Sequence, residues 1–149
     1  MSTLIEPVSE PFLPQCAVLL GLLFAQEVEF QPDPAAQLRG LRRIFADPAR
    51  GKLLLARDGE EVVGMVSLLW STSTALGAPV AWLEDLVVAP LRRRQGLGRA
   101  LVAAALELCR ERGIARITLL TDGDNDRAQA LYAAMGFRPS RMVPMRLLL

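Results

Sequence analysis

The chain has 149 residues, 52% of them apolar and 22% charged, which suits one globular domain and rules out an unstructured chain. Seventeen basic side chains against sixteen acidic leave a net charge of +1, too even for a protein held mainly by phosphate backbones. Histidine is absent, which excludes Ser-His-Asp and Cys-His nucleophile systems and any histidine-ligated metal. The two cysteines, Cys16 and Cys109, lie far apart in apolar surroundings and read as buried free thiols of a reducing compartment. The lone lysine, Lys52, is followed by Leu53, so no Walker A loop is present.

The opening residues carry acid where a signal peptide would carry Arg or Lys, and the longest apolar stretch, residues 16–25, is too short to span a bilayer. The expectation is a cytoplasmic protein with no membrane and no nucleic-acid partner. In chain order, a short strand is expected over residues 3–8 and a helix over 13–28. A turn at Gln31-Pro32-Asp33-Pro34 follows, with Asp33 capping a helix that runs to 46. Strands 52–57 and 61–70 are joined through Asp58-Gly59, a strong hairpin signal. A third strand, 79–88, is apolar enough to be central. The second half alternates: helix 97–112 closed by Gly113, strand 115–121, helix 125–135 closed by Gly136, and a final strand over 141–149. Nothing divides the chain, so residues 1–149 read as one α/β domain with a mixed sheet.

The most informative segment joins strand 79–88 to helix 97–112. It carries Arg93, Arg94 and Arg99 around Gly96-Leu97-Gly98. Glycines admit a ligand close to the backbone, and the N–H groups at a helix start converge on one spot, so the natural ligand is a pyrophosphate. Solvated arginines on a glycine turn explain the same residues. A dinucleotide-binding fold is disfavoured, because Leu101 holds the third glycine position and seven residues separate Val88 from Gly96.

Val88-x-Pro90-x-x-Arg93-x-x-Gly96-x-Gly98 resembles motif A of the GNAT superfamily of acyl-CoA-dependent N-acetyltransferases. Asn125-x-x-Ala128-x-x-Leu131-Tyr132-x-x-x-Gly136-Phe137 is similar to its motif B, and the two cover residues 83–137 in the family's order and spacing. One departure is Leu91-Arg92, where many members carry an acidic and an aromatic residue; it is expected to touch the loop surface more than the chemistry. The resemblance implies a GNAT-like fold, a centrally splayed mixed sheet flanked by about four helices, with acetyl-CoA as cosubstrate and no metal. Carried over, Leu86, Val87 and Val88 would hold the thioester end. The amides of Arg94, Gln95, Gly96, Leu97, Gly98 and Arg99 would cradle the pyrophosphate, with Arg93 at the start of the cradle and Asn125 also on the cofactor side. A branched side chain at Gly98 is expected to fall where the pyrophosphate sits.

Acetyl transfer to an amine needs a proton acceptor for the ammonium, a donor for the carbonyl oxygen and a proton for the leaving thiolate. Tyr132 is the only tyrosine and shares a helical face with Asn125 and Ala128. It matches the family's general acid, with core packing as the plain alternative. Glu84 and Asp85 follow one another in a strand, where side chains alternate, so one is expected to face the cleft. In members with a similar Leu-Glu-Asp segment the glutamate is the usual base, so Glu84 is favoured; tying down a loop is the other reading for either carboxylate. A Leu86 N–H would polarise the carbonyl. Phe24, Glu27, Glu29, Phe30 and Asp33, with Asp85, are the acceptor-side candidates, since acid plus aromatic suits a cationic amine, and a solvated helix end explains them as well. The implied activity is acetyl transfer to a primary amine of a small molecule or peptide. A silent CoA-binding regulator is the rival from another class, and the apolar end at 146–149 suggests a homodimer edge.

Overall fold

The computed structural model of the chain describes residues 3–27 and 29–149. Its strands are β1 (Leu4–Pro7), β2 (Gly51–Asp58), β3 (Glu61–Ser73), β4 (Ala78–Val88) and β5 (Ile117–Thr118). Its helices are α1 (Leu13–Gln26), α2 (Pro34–Phe45), α3 (Leu97–Glu111) and α4 (Asp126–Ala134). The strands form one mixed sheet in the order β1-β2-β3-β4-β5, antiparallel except for the parallel β4–β5 pair.

Period-two alternation sorts the strand side chains onto two helical layers. Leu53, Leu55, Met65 and Val87 meet α1 and α2 through Leu13, Cys16, Leu20 and Leu41. Leu54, Ala56, Val66, Leu68 and Leu83 meet α3 through Leu101, Val102 and Ala105, with Leu131 and Tyr132 of α4 packed against that layer. Cys16 and Cys109 are buried free thiols within these layers, and burial pushes the Cys16 thiol up to about 11. No helix among the described residues is long and apolar enough to cross a membrane.

Local signals place most boundaries. Asp33 accepts a hydrogen bond from the Ala36 N–H at 3.2 Å, capping α2, and Asn125 does the same for α4 from Ala128 at 3.1 Å. Asp58 and Glu61 pair across the β2–β3 hairpin, and Gly59 takes a φ of +56° in its turn. The expected extension of the first helix to residue 28 ends at Gln26, with Val28 outside the described residues. Two strands depart further. Strand 115–121 contracts to Ile117–Thr118, which pairs only with Ala81 and Trp82. The strand expected over 141–149 does not form. Pro144 removes a ladder donor from its middle, and Met142, Val143, Met145 and Leu147 are 80–91% exposed. That segment instead reaches the turn before α2, where Arg146 forms an ion pair with Glu29 and lies over the Phe30 ring.

Arg92 carries more than the loop-surface role expected of it. It forms an ion pair with the buried Asp58 of β2, which also accepts from Thr3 Oγ1 at 2.8 Å. The arginine also donates to Gln95 at 3.0 Å, tying the loop before α3 to the far end of the sheet. The Thr3 hydroxyl and the Arg92 guanidinium hold the Asp58 carboxyl below its ordinary 3.8. A depressed carboxyl contributes stability above its unfolded value and loses it as pH falls through the folded one. Asp58→Asn should therefore flatten the acid side of a melting-temperature profile below about pH 4. A profile as steep as that of the unaltered protein would assign the acid sensitivity to other carboxylates.

Candidate active site

The site begins with an irregularity in β4. Met65 pairs with Val87 and Ser67 with Glu84, so Asp85 and Leu86 together stand opposite Val66. This is a β-bulge, and Asp85 adopts a φ of +57° within it. The bulge breaks the alternation on which the choice between Glu84 and Asp85 was based. Leu83 and Leu86 pack on the α3 layer and Val87 on the α1 layer, while Asp85 lines a cavity against α1 and α2. Both carboxylates therefore emerge on the α1 side, correcting the expectation that one points away.

Beyond Trp82 the β5 strand leaves β4. The Ala89 N–H donates to Val63 of β3 at 2.8 Å, so the Val88 carbonyl across that peptide points to the open edge. Counting back from Ala89 by period two, the Val87 N–H faces β3, so the Leu86 carbonyl across that peptide points to the open edge as well. Two of the three expected thioester-side residues thus present backbone groups to the gap, and Val87 does not. The Val88 carbonyl also accepts from Arg93 Nε at 3.2 Å, which places that guanidinium at the start of the cradle.

The chain then makes a 3-10 turn over Pro90–Arg92 and enters α3 through Arg94 at φ +64° and Gly96 at φ +79°. No side chain caps α3, so the N–H groups of Leu97, Gly98 and Arg99 face outward at its positive end. A Cβ at Gly96 would meet nothing within 4 Å, but one at Gly98 would face Leu131 and Val88 side chains at 3.6 and 3.9 Å. A Cβ at Gly98 would thus be in ordinary contact with side chains of α4 and β4. Asn125 spends its Oδ1 on capping α4.

Tyr132 stacks edge-on against Phe137 with centroids 5.8 Å apart. Among the described residues its hydroxyl has no hydrogen-bond partner. Burial, then the Glu27 charge, push the phenol up to about 12. Asp85 rises from 3.8 to about 7, first through burial and then through Glu84, with Ser67 Oγ, 3.4 Å away, opposing and Glu27 adding. Glu27 is itself raised by burial, Asp122 and Glu84, against the lowering effect of Arg146. Glu27, at the end of α1, thus stands within electrostatic reach of both carboxylates of the bulge and of Tyr132, across the gap between β4 and β5.

The remaining acceptor-side candidates divide. Phe24 and Phe30 pack ring to ring at 5.5 Å and line the cavity beside Asp85. Glu29 is occupied by Arg146 and Asp33 by its cap. Trp70 packs on the α3 layer beneath the Arg112 guanidinium, 4.3 Å from its ring. Sequence reasoning missed Asp122, which only the fold brings beside Glu27, and the α2 wall of the cavity, whose apolar residues look like ordinary core.

An open strand edge thus lies beside an uncapped helix start, with the carboxylates and the phenol near it. The chain belongs to the GNAT family of acetyltransferases: residues 19–137 match the family model described as Acetyltransferase (GNAT) family. It is 48% identical over 115 residues to a protein of Beutenbergia cavernae named mycothiol acetyltransferase, the match covering 65% of this chain and 38% of that one. The chain spans roughly two-fifths of the length of the first curated relatives it matches. Among solved structures, a transcriptional regulator from Bacillus halodurans C-125 superposes with a TM-score of 0.84 at 27% identity, covering 99% of this chain and 100% of that one. An acetyltransferase of Trypanosoma brucei does so with a TM-score of 0.77 at 26% identity over 99% and 100% of the two chains.

The two glycines now predict different outcomes. Gly96→Val forces a branched residue into a left-handed conformation over the open N–H groups, and acetyl-CoA affinity should fall at least about tenfold. Gly98→Ala should change it by no more than about twofold. Titration calorimetry on both variants checks the pair, and the reverse ranking would move the phosphate site away from the start of α3.

Proposed function

We propose that the chain transfers an acetyl group from acetyl-CoA to a primary amine of a small molecule or peptide, by direct attack in a ternary complex. The observation that carries this reading is the bulge in β4, which sets two carboxylates beside a strand edge that β5 leaves open. The chain's own residues fit the cosubstrate. The free N–H groups of Leu97, Gly98 and Arg99 suit a pyrophosphate. The exposed edge at Leu86 and Val88 suits the amides of the pantetheine arm, as an added strand would. The mycothiol acetyltransferase name of the 48%-identical relative supports acyl transfer as well.

Bound acetyl-CoA supplies the activated acyl group. Asp85 accepts the proton of the acceptor ammonium, because a carboxyl near 7 is half ionised at neutral pH and matched to that task. Glu84, beside it and exposed, attracts the cation and raises the proton affinity of Asp85; burial therefore favours Asp85 over Glu84 as the base. The freed nitrogen bonds to the acyl carbon as the carbon–sulfur bond breaks, and a Leu86 N–H turned to the edge by the bulge would meet the oxygen charge that develops. Tyr132 stays protonated and donates to the departing sulfur.

The rate should follow the ionisation of Asp85, with kcat/KM rising through about pH 7. Asp85→Asn should remove that limb and lower turnover by roughly 10²–10⁴-fold. Glu84→Gln should move the limb to lower pH, because the negative neighbour that raises Asp85 is gone. An unshifted limb in both variants would place the base elsewhere. Tyr132→Phe should lower turnover about tenfold with little change in melting temperature, and the loss should shrink for an acyl donor whose thiol is more acidic. Equal loss with both donors would assign Tyr132 to positioning the thioester.

A further inference from the structure

A cavity of about 280 Å³ opens between α1 and α2 with Asp85 at its inner end. Leu20, Phe24, Phe30, Leu41 and Ile44 are the large apolar residues of its wall. The wall is preformed at Phe30, which sits between the Phe24 ring at 5.5 Å and the Arg146 guanidinium at 5.7 Å. Of the polar side chains in the wall, Gln31 is exposed and two others are already used. Gln37 donates to the Ala17 carbonyl at 2.8 Å and accepts from the Asp33 N–H at 2.7 Å, and Asp33 caps α2. Asp85 has only the Ser67 hydroxyl, at 3.4 Å. Gly40 stands in the middle of α2, where glycine weakens a helix relative to alanine. A Cβ built on it would meet nothing within 4 Å, although the residue lines this cavity. The residue is exposed, so a larger side chain there has open space beside the cavity.

We infer that this cavity receives the apolar body of the acceptor, and that the substrate class is a small monoamine bearing an aryl or branched-alkyl group, its ammonium at Asp85. This rests on the acetyl-transfer reading and narrows it. The volume, about 280 Å³, lies just under the range of ligand pockets, roughly 300–1,000 Å³, which suits one ring or branched chain. A polyamine would bring a second ammonium into an apolar wall whose other carboxylate, Asp33, is committed to its helix, and burying an unpaired cation there is costly. Gly40 is then a specificity-determining position.

The unaltered chain and Gly40→Leu should be assayed for acetyl-CoA-dependent thiol release with phenethylamine, isoamylamine, ethylamine and spermidine. Binding of each amine should be followed in parallel by calorimetry. The expected result is a kcat/KM for phenethylamine and isoamylamine at least about tenfold above that for ethylamine and spermidine. Gly40→Leu should erase that preference while leaving acetyl-CoA affinity and folding intact. A preference for spermidine, or one that survives Gly40→Leu, overturns the inference. If no amine supports thiol release, the acetyl-transfer reading fails and calorimetry decides the pocket. Phenethylamine binding that Gly40→Leu abolishes sustains the cavity as an apolar-amine site; binding that is absent or unchanged in the variant overturns it. Gly40→Ala, a milder change in an exposed helix position, covers the case in which the leucine variant does not fold.

Discussion

The extra residue in β4 is the constraint on which the site depends. A regular strand here would continue the alternation begun at Leu83 and Glu84, and would bury the next carboxylate against α3 or eject a core leucine. The bulge at Asp85 and Leu86 instead keeps Leu83 and Leu86 on one layer and returns Val87 to the other. It gathers Glu84 and Asp85 on the α1 side. Its cost is a left-handed aspartate, a conformation a non-glycine residue holds only where its surroundings impose it. β5 has already left β4 after Trp82, so the bulge sets the carboxylate pair beside an edge that is open when the strand reaches it.

Near-zero net charge conceals a polar molecule. Arg92, Arg93, Arg94 and Arg99 collect at one end of the β4 edge, and Glu27, Glu84, Asp85 and Asp122 at the other. An anionic cosubstrate and a cationic acceptor would each meet the opposite charge, and their reactive ends would meet between. Arg92 is the exception that organises the basic end, since its charge is spent on buried Asp58 and it acts by fixing the loop rather than by facing a ligand.

The helices, the hairpin and the order of the elements were legible because local chemistry decides them: caps at Asp33 and Asn125, the Asp58-Gly59 turn, and left-handed glycines at 113 and 136. The glycine loop and Tyr132 were legible as motifs. The orientation of Glu84 and Asp85 was not, because a bulge changes the phase of a strand without changing its composition. The neighbours of Gly98 were not legible either, because only the packing of α4 on β4 brings Leu131 and Val88 against it. The last strand failed because an apolar run was weighed above the proline inside it. The cavity was invisible, because Leu20, Leu41 and Ile44 have the spacing of core residues whether or not anything fills the space between them.

The proton balance connects the two sides of the gap. A phenol near 12 holds its proton too tightly to surrender it outright to a thiolate near 8.5; that transfer alone runs uphill by about 5 kcal/mol. The carboxyl near 7 is different, because passing its proton to the same thiolate runs downhill by about 2 kcal/mol. On the proposed chemistry, the proton shed by the acceptor at Asp85 is the one the sulfur can finally take, and Tyr132 stabilises the sulfur while its charge grows. Glu27 raises both groups from between them. Burial does most of this on both sides, and the Glu27 charge adds to it at each, so one residue at the end of α1 shifts the phenol and the carboxyl in the same direction.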